Sequence, residues 1–148
     1  MVNVTRRVVF SASHRLHNPE WSSNENLEVF DKCNNPNGHG HNYIMEVTVS
    51  GIPDIDTGYV IDLKIMKKII NEVIVDKVDH KNLNLDVEFL KGIIPSVENL
   101  SVVFWELLKD KFGARRTLTK IKIWETENNV VEYNGEPVQI KKFKDYIV

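Results

Sequence analysis

The chain has 148 residues, of which 42% are hydrophobic and 27% charged, a composition that fits one globular domain and argues against a disordered protein. Nineteen Lys and Arg against twenty-one Asp and Glu give a formal charge of -2, so no overall positive field favours nucleic acid or an anionic membrane. No stretch approaches the roughly 18 apolar residues of a membrane-spanning helix, and the single cysteine, Cys33, cannot form an intramolecular disulfide. We therefore expect one domain over residues 1–148, in a soluble cytoplasmic protein.

The first third of the chain predicts two strands separated by a long loop. Residues 3–10 read as a strand that could continue to His14. Residues 18–40 contain two prolines, two glycines and eight Asn or Ser, which predicts a loop with no regular element. Residues 42–50 alternate between apolar and polar side chains, which predicts a second strand with Tyr43, Met45, Val47 and Val49 on one face.

The rest of the chain predicts two helices followed by a hairpin. Asp62 can cap a helix with apolar residues at helical spacing as far as Val78, and a second helix should begin at Pro95–Ser96 and end near Phe112–Gly113. Residues 121–123 and 130–133 flank a turn and predict two more strands. The order ββααββ predicts an α+β fold, a four-stranded antiparallel sheet with two helices on one face. The open edges of such a sheet favour a homo-oligomer.

Three histidines form a candidate metal site. His39 and His41 are two residues apart on extended chain, so their rings point the same way, but this pair alone is weak evidence. His14 ends the first strand, and antiparallel pairing would bring it beside the other two. Three nitrogen ligands match a catalytic zinc with an open fourth position, and Gly38 and Gly40 would let the loop approach closely. The alternative is that His14 packs at the strand end while the loop histidines are solvated.

Cys33 and the pair Asp79–His80 are candidates for proton transfer. Cys33 lies in the polar loop, where Lys32 and a nearby zinc would both favour the thiolate and make it a base or nucleophile. The alternative is an incidental exposed thiol. Asp79 could orient or charge the His80 imidazole, although Asp79 could equally be a polar residue at a helix end.

Glu125 is a candidate binding residue. It shares strand parity with Ile121 and Ile123, so its carboxylate should point inward at the strand end and needs a donor there. That donor could be a buried Arg or Lys, or the amidine-like edge of a ligand that gives two parallel N–H bonds.

Four segments together resemble the 6-pyruvoyltetrahydropterin synthase family. They are residues 10–16 (FSASHRL), 32–43 (KCNNPNGHGHNY), 78–83 (VDHKNL) and 125–129 (ETENN). The segment from Cys33 to Tyr43 is highly specific, and the resemblance covers nearly the whole chain. Ser96 stands where that family usually has Thr, which bears on substrate contacts.

The resemblance implies the tunnelling fold, in which three subunits close a barrel and two trimers stack as a homohexamer. It implies a phosphorus–oxygen lyase of tetrahydrobiopterin biosynthesis that converts 7,8-dihydroneopterin triphosphate to 6-pyruvoyl-tetrahydropterin with loss of triphosphate. The site residues it implies are His14, His39 and His41 for zinc, Cys33, Asp79 and His80 for catalysis, and Glu125 for anchoring the pterin.

Two alternatives remain. The related 6-carboxy-tetrahydropterin synthases of deazaguanine (queuosine) biosynthesis share the fold, zinc and substrate, but more often have three residues between the cysteine and the first histidine of the pair. Five residues separate Cys33 from His39 here, which resembles the pyruvoyl type. The other alternative is a zinc- and pterin-binding module without turnover, in which Cys33 and Asp79–His80 would be incidental.

Overall fold

The computed structural model describes residues 1–146, so the last two residues of the predicted 1–148 domain lie outside the described residues. The strands are β1 (Val2–His14), β2 (His39–Gly51), β3 (Lys81–Asn82), β4 (Arg116–Trp124) and β5 (Val130–Tyr133). The helices are α1 (Ser23–Phe30), α2 (Leu63–Ile70), α3 (Asp76–Val78) and α4 (Val97–Leu108), with short 3₁₀ turns at Asp31–Asn34 and Glu88–Leu90.

The sheet has five strands in the order β3-β1-β2-β4-β5 and is mixed, so the prediction of a four-stranded antiparallel sheet was wrong in both respects. The four predicted strands pair antiparallel, and the additional β3 pairs parallel with β1. It has only two residues, too few to show an alternation of apolar and polar side chains. It forms because the chain returns along β1, where the His80 N–H donates to the Ser11 carbonyl at 2.6 Å.

The prediction of an irregular loop over residues 18–40 was also wrong, because α1 lies within it. Ser22 caps this helix in a capping box, in which its side chain accepts from the Glu25 N–H and the Glu25 carboxylate accepts from the Ser22 N–H. Asn26 is fully buried and bonds the Asn18 backbone through both its side-chain amide atoms, at 2.7 and 2.9 Å. Polar contacts rather than an apolar stripe hold this helix, since Leu27 and Val29 are exposed.

The two predicted helices are present. The first begins after the Asp62 cap and reaches Val78, but a π-helical turn at Asn71–Val75 separates α2 from α3. In α4 the Ser96 side chain caps the first turn, and the helix ends at Leu108, a few residues before the predicted end. None of the helices within residues 1–146 combines the length and the apolar character that crossing a membrane requires.

The core lies between one face of the sheet and the helices α2 and α4. Tyr43, Met45, Val47 and Val49 are all fully buried on β2, as their alternation predicted. Phe10 of β1 stacks on Tyr43 at 4.9 Å and meets the edge of Phe104 from α4. The same alternation carries the buried face of β1 on through Ala12 to His14, so the histidine at the strand end points into the protein.

Candidate metal centre and active site

The three predicted metal ligands meet at one end of the sheet. In the antiparallel pairing of β1 with β2, His14 lies opposite His39 and Ala12 opposite His41, which confirms the predicted juxtaposition. His14 Nε2 and His39 Nε2 are 3.2 Å apart, and one ligand atom from each of the three rings lies within 4.8 Å of the others. This is a spacing at which three imidazoles can share one ion.

The surroundings of His14 prepare it as a neutral ligand. Its Nδ1 lies 2.7 Å from the Pro95 carbonyl, which can only accept, so Nδ1 carries the proton and Nε2 keeps its lone pair toward the cluster. The ring is fully buried, and burial lowers its pKa to about 4 against the raising effect of the Pro95 bond. His14 is therefore uncharged at neutral pH, as a metal ligand must be.

His41 and Glu125 complete the case for a cation at this point. His41 Nε2 is buried and has no hydrogen-bond partner among residues 1–146, a costly situation that a bound metal would relieve. The nearest acidic oxygen is Glu125 Oε1, which lies 3.5 Å from His14 Nε2 and 3.7 Å from His41 Nε2. Burial lowers the pKa of His41, and the Glu125 carboxylate opposes that effect. The donor set of three imidazole nitrogens with one nearby carboxylate fits zinc.

Gly38 lets the loop before β2 close onto this cluster. Its φ is +71°, and a Cβ there would lie only 2.9 Å from the His14 carbonyl oxygen, so a larger residue would push the loop away. A Cβ at Gly40 would make ordinary contact, 3.5 Å from the Ala12 oxygen. The close approach expected of both glycines therefore applies to Gly38 alone.

Cys33 is partly buried in the turn Asp31–Asn34, beside the segment that follows His14. The Leu16 N–H donates to the Cys33 carbonyl at 2.8 Å. Burial, and then the negative charges of Glu125 and Asp31, raise the pKa of the thiol. The expectation that Lys32 would favour the thiolate is therefore not met, since the groups of the protein itself shift the thiol the other way.

Glu125 does point inward, and its neighbours are the histidine rings rather than a buried Arg or Lys. It follows the end of β4 and lines a cavity of about 450 Å³ together with Ser96, Glu98 and Asn128. Sequence reasoning did not identify the last two as site residues. For Glu98 the sequence did contain a signal. Ser96 caps α4 and so places Glu98 in the first turn of this helix, which lies at the same end of the fold as Glu125 after β4.

Asp79 and His80 lie elsewhere. Asp79 Oδ2 is 3.0 Å from His80 Nδ1, and Asp79 Oδ1 accepts the Ser11 N–H at 2.8 Å, a bond that lowers the pKa of Asp79. The His80 side chain is 82% exposed, on a backbone with a φ of 59°, and borders an open cavity with Ser11 and Asn42. The lining of that cavity also includes His41, whereas His14 and Cys33 do not line it. Within residues 1–146 no hydrogen bond joins Cys33 to either of them.

Comparisons of sequence and of structure with known proteins relate this chain to one protein family. The sequence profile of the family described as 6-pyruvoyl tetrahydropterin synthase matches residues 3–136. A human 6-pyruvoyl tetrahydrobiopterin synthase is 48% identical over 133 residues, which cover 90% of this chain and 91% of the human protein. The Drosophila melanogaster protein of the same name is 46% identical over 132 residues, which cover 89% of this chain and 79% of the Drosophila protein. A solved Caenorhabditis elegans 6-pyruvoyl tetrahydropterin synthase superposes with a TM-score of 0.85 at 44% identity, covering 91% of this chain and 96% of the other.

Proposed function

This chain belongs to the 6-pyruvoyl tetrahydropterin synthase family, and we propose that it converts 7,8-dihydroneopterin triphosphate to 6-pyruvoyl-tetrahydropterin with loss of triphosphate. It would act as a phosphorus–oxygen lyase in tetrahydrobiopterin biosynthesis. The observation that carries the proposal is that Glu125 reaches both the three-histidine cluster and the cavity beside it, with the thiol of Cys33 within the influence of its charge.

We propose that His14, His39 and His41 bind zinc. The unpartnered Nε2 of His41 and the lone pair on Nε2 of His14 support this assignment. When bound, zinc would supply a positive charge that polarises a substrate side-chain oxygen and opposes the effect of Glu125 on the nearby thiol. His14 keeps its proton on Nδ1 and donates a hydrogen bond to the Pro95 carbonyl, which fixes the orientation of the ring.

Cys33 is the proposed base that removes a proton from the substrate side chain. The protonated thiol cannot act as a base. Because the pKa of Cys33 is raised, the thiolate that forms when the proton is lost is a stronger base toward a carbon acid. The turn that holds Cys33 is tied to the Leu16 backbone, so its position relative to His14 is set by a short stretch of chain. Short connections of this kind favour the alignment that proton transfer needs.

Glu125 is the proposed anchor for the pterin. A carboxylate can accept two parallel N–H bonds from the amino group and ring N–H of a pterin, and charge-assisted pairs of this kind are strong and directional. The cavity of about 450 Å³ that it lines with Ser96 and Asn128 is within the usual size range of small-molecule sites.

Asp79 and His80 are proposed to act on the site of a neighbouring subunit in a homohexamer, a dimer of trimers whose sheets close a barrel. His80 is exposed beside the edge strand β3 and has no hydrogen bond to Cys33 within residues 1–146, so a second copy would have to bring the two together. Mixing Cys33→Ala with His80→Ala chains by refolding or co-expression tests this. Random mixing should restore about a quarter of the sites. Mixtures as inactive as each parent would exclude a shared site.

We further propose a cytoplasmic enzyme whose partner is the small pterin substrate rather than nucleic acid or membrane. The single cysteine, which has no partner for an intramolecular disulfide, supports a reducing compartment. The formal charge of -2 gives no positive field to attract nucleic acid or an anionic membrane.

The central experiment is incubation of the zinc-loaded protein with 7,8-dihydroneopterin triphosphate, with triphosphate release measured and the pterin product identified by mass. A 6-pyruvoyl product is expected, and a 6-carboxy product would instead assign the chain to the deazaguanine branch. No release at all from protein with one zinc per chain would favour a binding module. In that case Cys33→Ala should bind the pterin as well as wild type does.

A further inference from the structure

The C-terminal strap, residues 137–146, lies beyond the 3–136 range that matches the family profile and packs back on the site end of the molecule. Phe143 is only 7% exposed, and its N–H donates to the Gly92 carbonyl at 2.8 Å. The ring of Tyr146 stacks on Phe143 at 5.8 Å, and Lys141 forms an ion pair with Glu20. The strap is thus attached at several points rather than by one contact.

The surface under the strap is shaped to receive it. Gly92 has a φ of +78°, and a Cβ there would lie 2.5 Å from the Phe143 carbonyl oxygen. Because no side chain fits between the two backbones, glycine at this position permits the close approach that the Phe143 N–H bond requires.

The strap ends on a buried polar network through the Tyr146 hydroxyl. That hydroxyl donates to the His17 carbonyl and accepts from the Asn84 side-chain amide, each at 3.2 Å. Asn84 is 5% exposed, and its side chain also bonds both the N–H and the carbonyl of Arg15, each at 2.8 Å. Tyr146 therefore contacts one end of the segment formed by residues 15–17 directly, at His17, and is linked to the other end, Arg15, through Asn84.

The other side of residues 15–17 holds the Cys33 turn. The Leu16 N–H donates to the Cys33 carbonyl, and the Leu16 carbonyl accepts from the Asn34 side-chain amide, both at 2.8 Å. The Arg15 guanidinium donates to the Asn34 carbonyl at 2.9 Å. Residues 15–17 thus lie between the strap and the turn that carries the proposed base, directly after the proposed metal ligand His14.

We propose that Tyr146 is a positioning residue, which holds residues 15–17 through His17 and Asn84 and thereby fixes the Cys33 turn relative to the histidine cluster. The inference rests on the proposed function, since that function assigns proton transfer to Cys33. Loss of the hydroxyl leaves the Asn84 amide and the His17 carbonyl short of one partner each, and the freed segment lets the turn move. Proton transfer is sensitive to such movement. Pterin binding is affected less, because Leu16 is the one residue of the freed segment that lines the cavity beside Glu125, and its apolar side chain forms no hydrogen bond there.

The test compares full-length Tyr146→Phe with Tyr133→Phe. Tyr133 is a matched control because its hydroxyl also donates to a backbone carbonyl, that of Glu136, and within the described residues it forms no hydrogen bond with His17 or Asn84. Steady-state kinetics should give a kcat about 3- to 10-fold lower for Tyr146→Phe, with KM changed less than about twofold, and wild-type values for Tyr133→Phe. Phe143→Ala, which releases the strap at its buried residue, should lower kcat at least as much as Tyr146→Phe.

A second measurement is independent of turnover. Cys33 is the chain's single cysteine, so iodoacetamide labelling followed by mass spectrometry reports on this thiol alone. A loosened turn exposes it, and labelling of folded Tyr146→Phe should be about 3- to 10-fold faster than that of wild type or Tyr133→Phe. Because labelling needs no substrate, it decides the matter even if the wild type proves inactive on the pterin triphosphate. Equal labelling rates, or a lower melting temperature with kcat and labelling unchanged, would overturn the proposal and leave the strap a purely structural element.

Discussion

Acidifying the metal-free protein should destabilise it through His14 in particular. The ring is fully buried, and its pKa is lowered from 6.5 to about 4, chiefly by burial. Between those two pH values the unfolded chain binds a proton at this ring and the folded chain does not. Stability is therefore complete above pH 6.5 and is lost as the pH falls, because the folded-state pKa lies below the unfolded one.

The size of the effect follows from the shift. Each pH unit in this window costs about 1.4 kcal/mol of unfolding free energy per such group. Going from pH 6.5 to pH 5 should thus remove about 2 kcal/mol, and the full window to pH 4 about 3 kcal/mol. His41, whose pKa burial also lowers, adds to the loss in the same direction.

Urea unfolding of the chelator-treated protein, followed by fluorescence of its three tryptophans, measures this loss at a fixed protein concentration. The control is His14→Asn, whose shorter amide keeps a donor near the Pro95 carbonyl but does not titrate. The difference in slope between the two chains isolates the His14 contribution from that of His41. Zinc added at pH 7 should raise the stability of the wild type much more than that of the variant.

A variant that loses stability between pH 6.5 and pH 5 as steeply as wild type would refute the reasoning. It would mean that His14 titrates normally in the folded chain, and hence that burial does not keep the ring neutral as a ligand.

Three further outcomes follow from the site and the core. Removing the unpartnered ligand with His41→Ala should lower zinc affinity by more than about 100-fold, and retention of one tightly bound zinc per chain by mass spectrometry would contradict the assignment. Glu125→Gln should raise the KM for the pterin substrate by roughly 10- to 100-fold. Because it removes a negative charge near Cys33, it should also shift the pH midpoint of Cys33 alkylation downward, and an unchanged midpoint would argue against electrostatic coupling between Glu125 and Cys33. Phe104 is fully buried whereas Ile55 is 97% exposed. In chemical unfolding, Phe104→Ala should therefore lower the free energy of unfolding by about 3–5 kcal/mol and Ile55→Ala by less than about 0.5 kcal/mol. Similar losses for the two variants would mean that the core lies elsewhere.

The predictions that the structure confirms rest on local periodicity and on register. The alternation in residues 42–50 predicted the buried face of β2 because a pleated strand has only two faces. The same parity carried from Phe10 to His14, and antiparallel pairing then brought His14 to the pair on β2. The helix of Asp62 to Val78 was readable from its cap and apolar spacing, although its π turn was not.

Elements without an apolar pattern were not predicted from the sequence alone. Helix α1 has a capping box but exposes Leu27 and Val29, so no apolar stripe marked it. The two-residue β3 exists only because the chain returns along β1, and its pairing makes the sheet mixed.

Chemical identity was therefore available from the sequence, and relative position was decided by tertiary structure. The residue types and spacing of His14, His39 and His41 were enough to propose a metal site. That Glu125 lies beside their rings, and that His80 is exposed next to the edge strand β3, depends on how distant strands pack, as does the direction in which the Cys33 pKa moves. Charges act through space and burial depends on the whole fold, so neither can be read from neighbours along the chain.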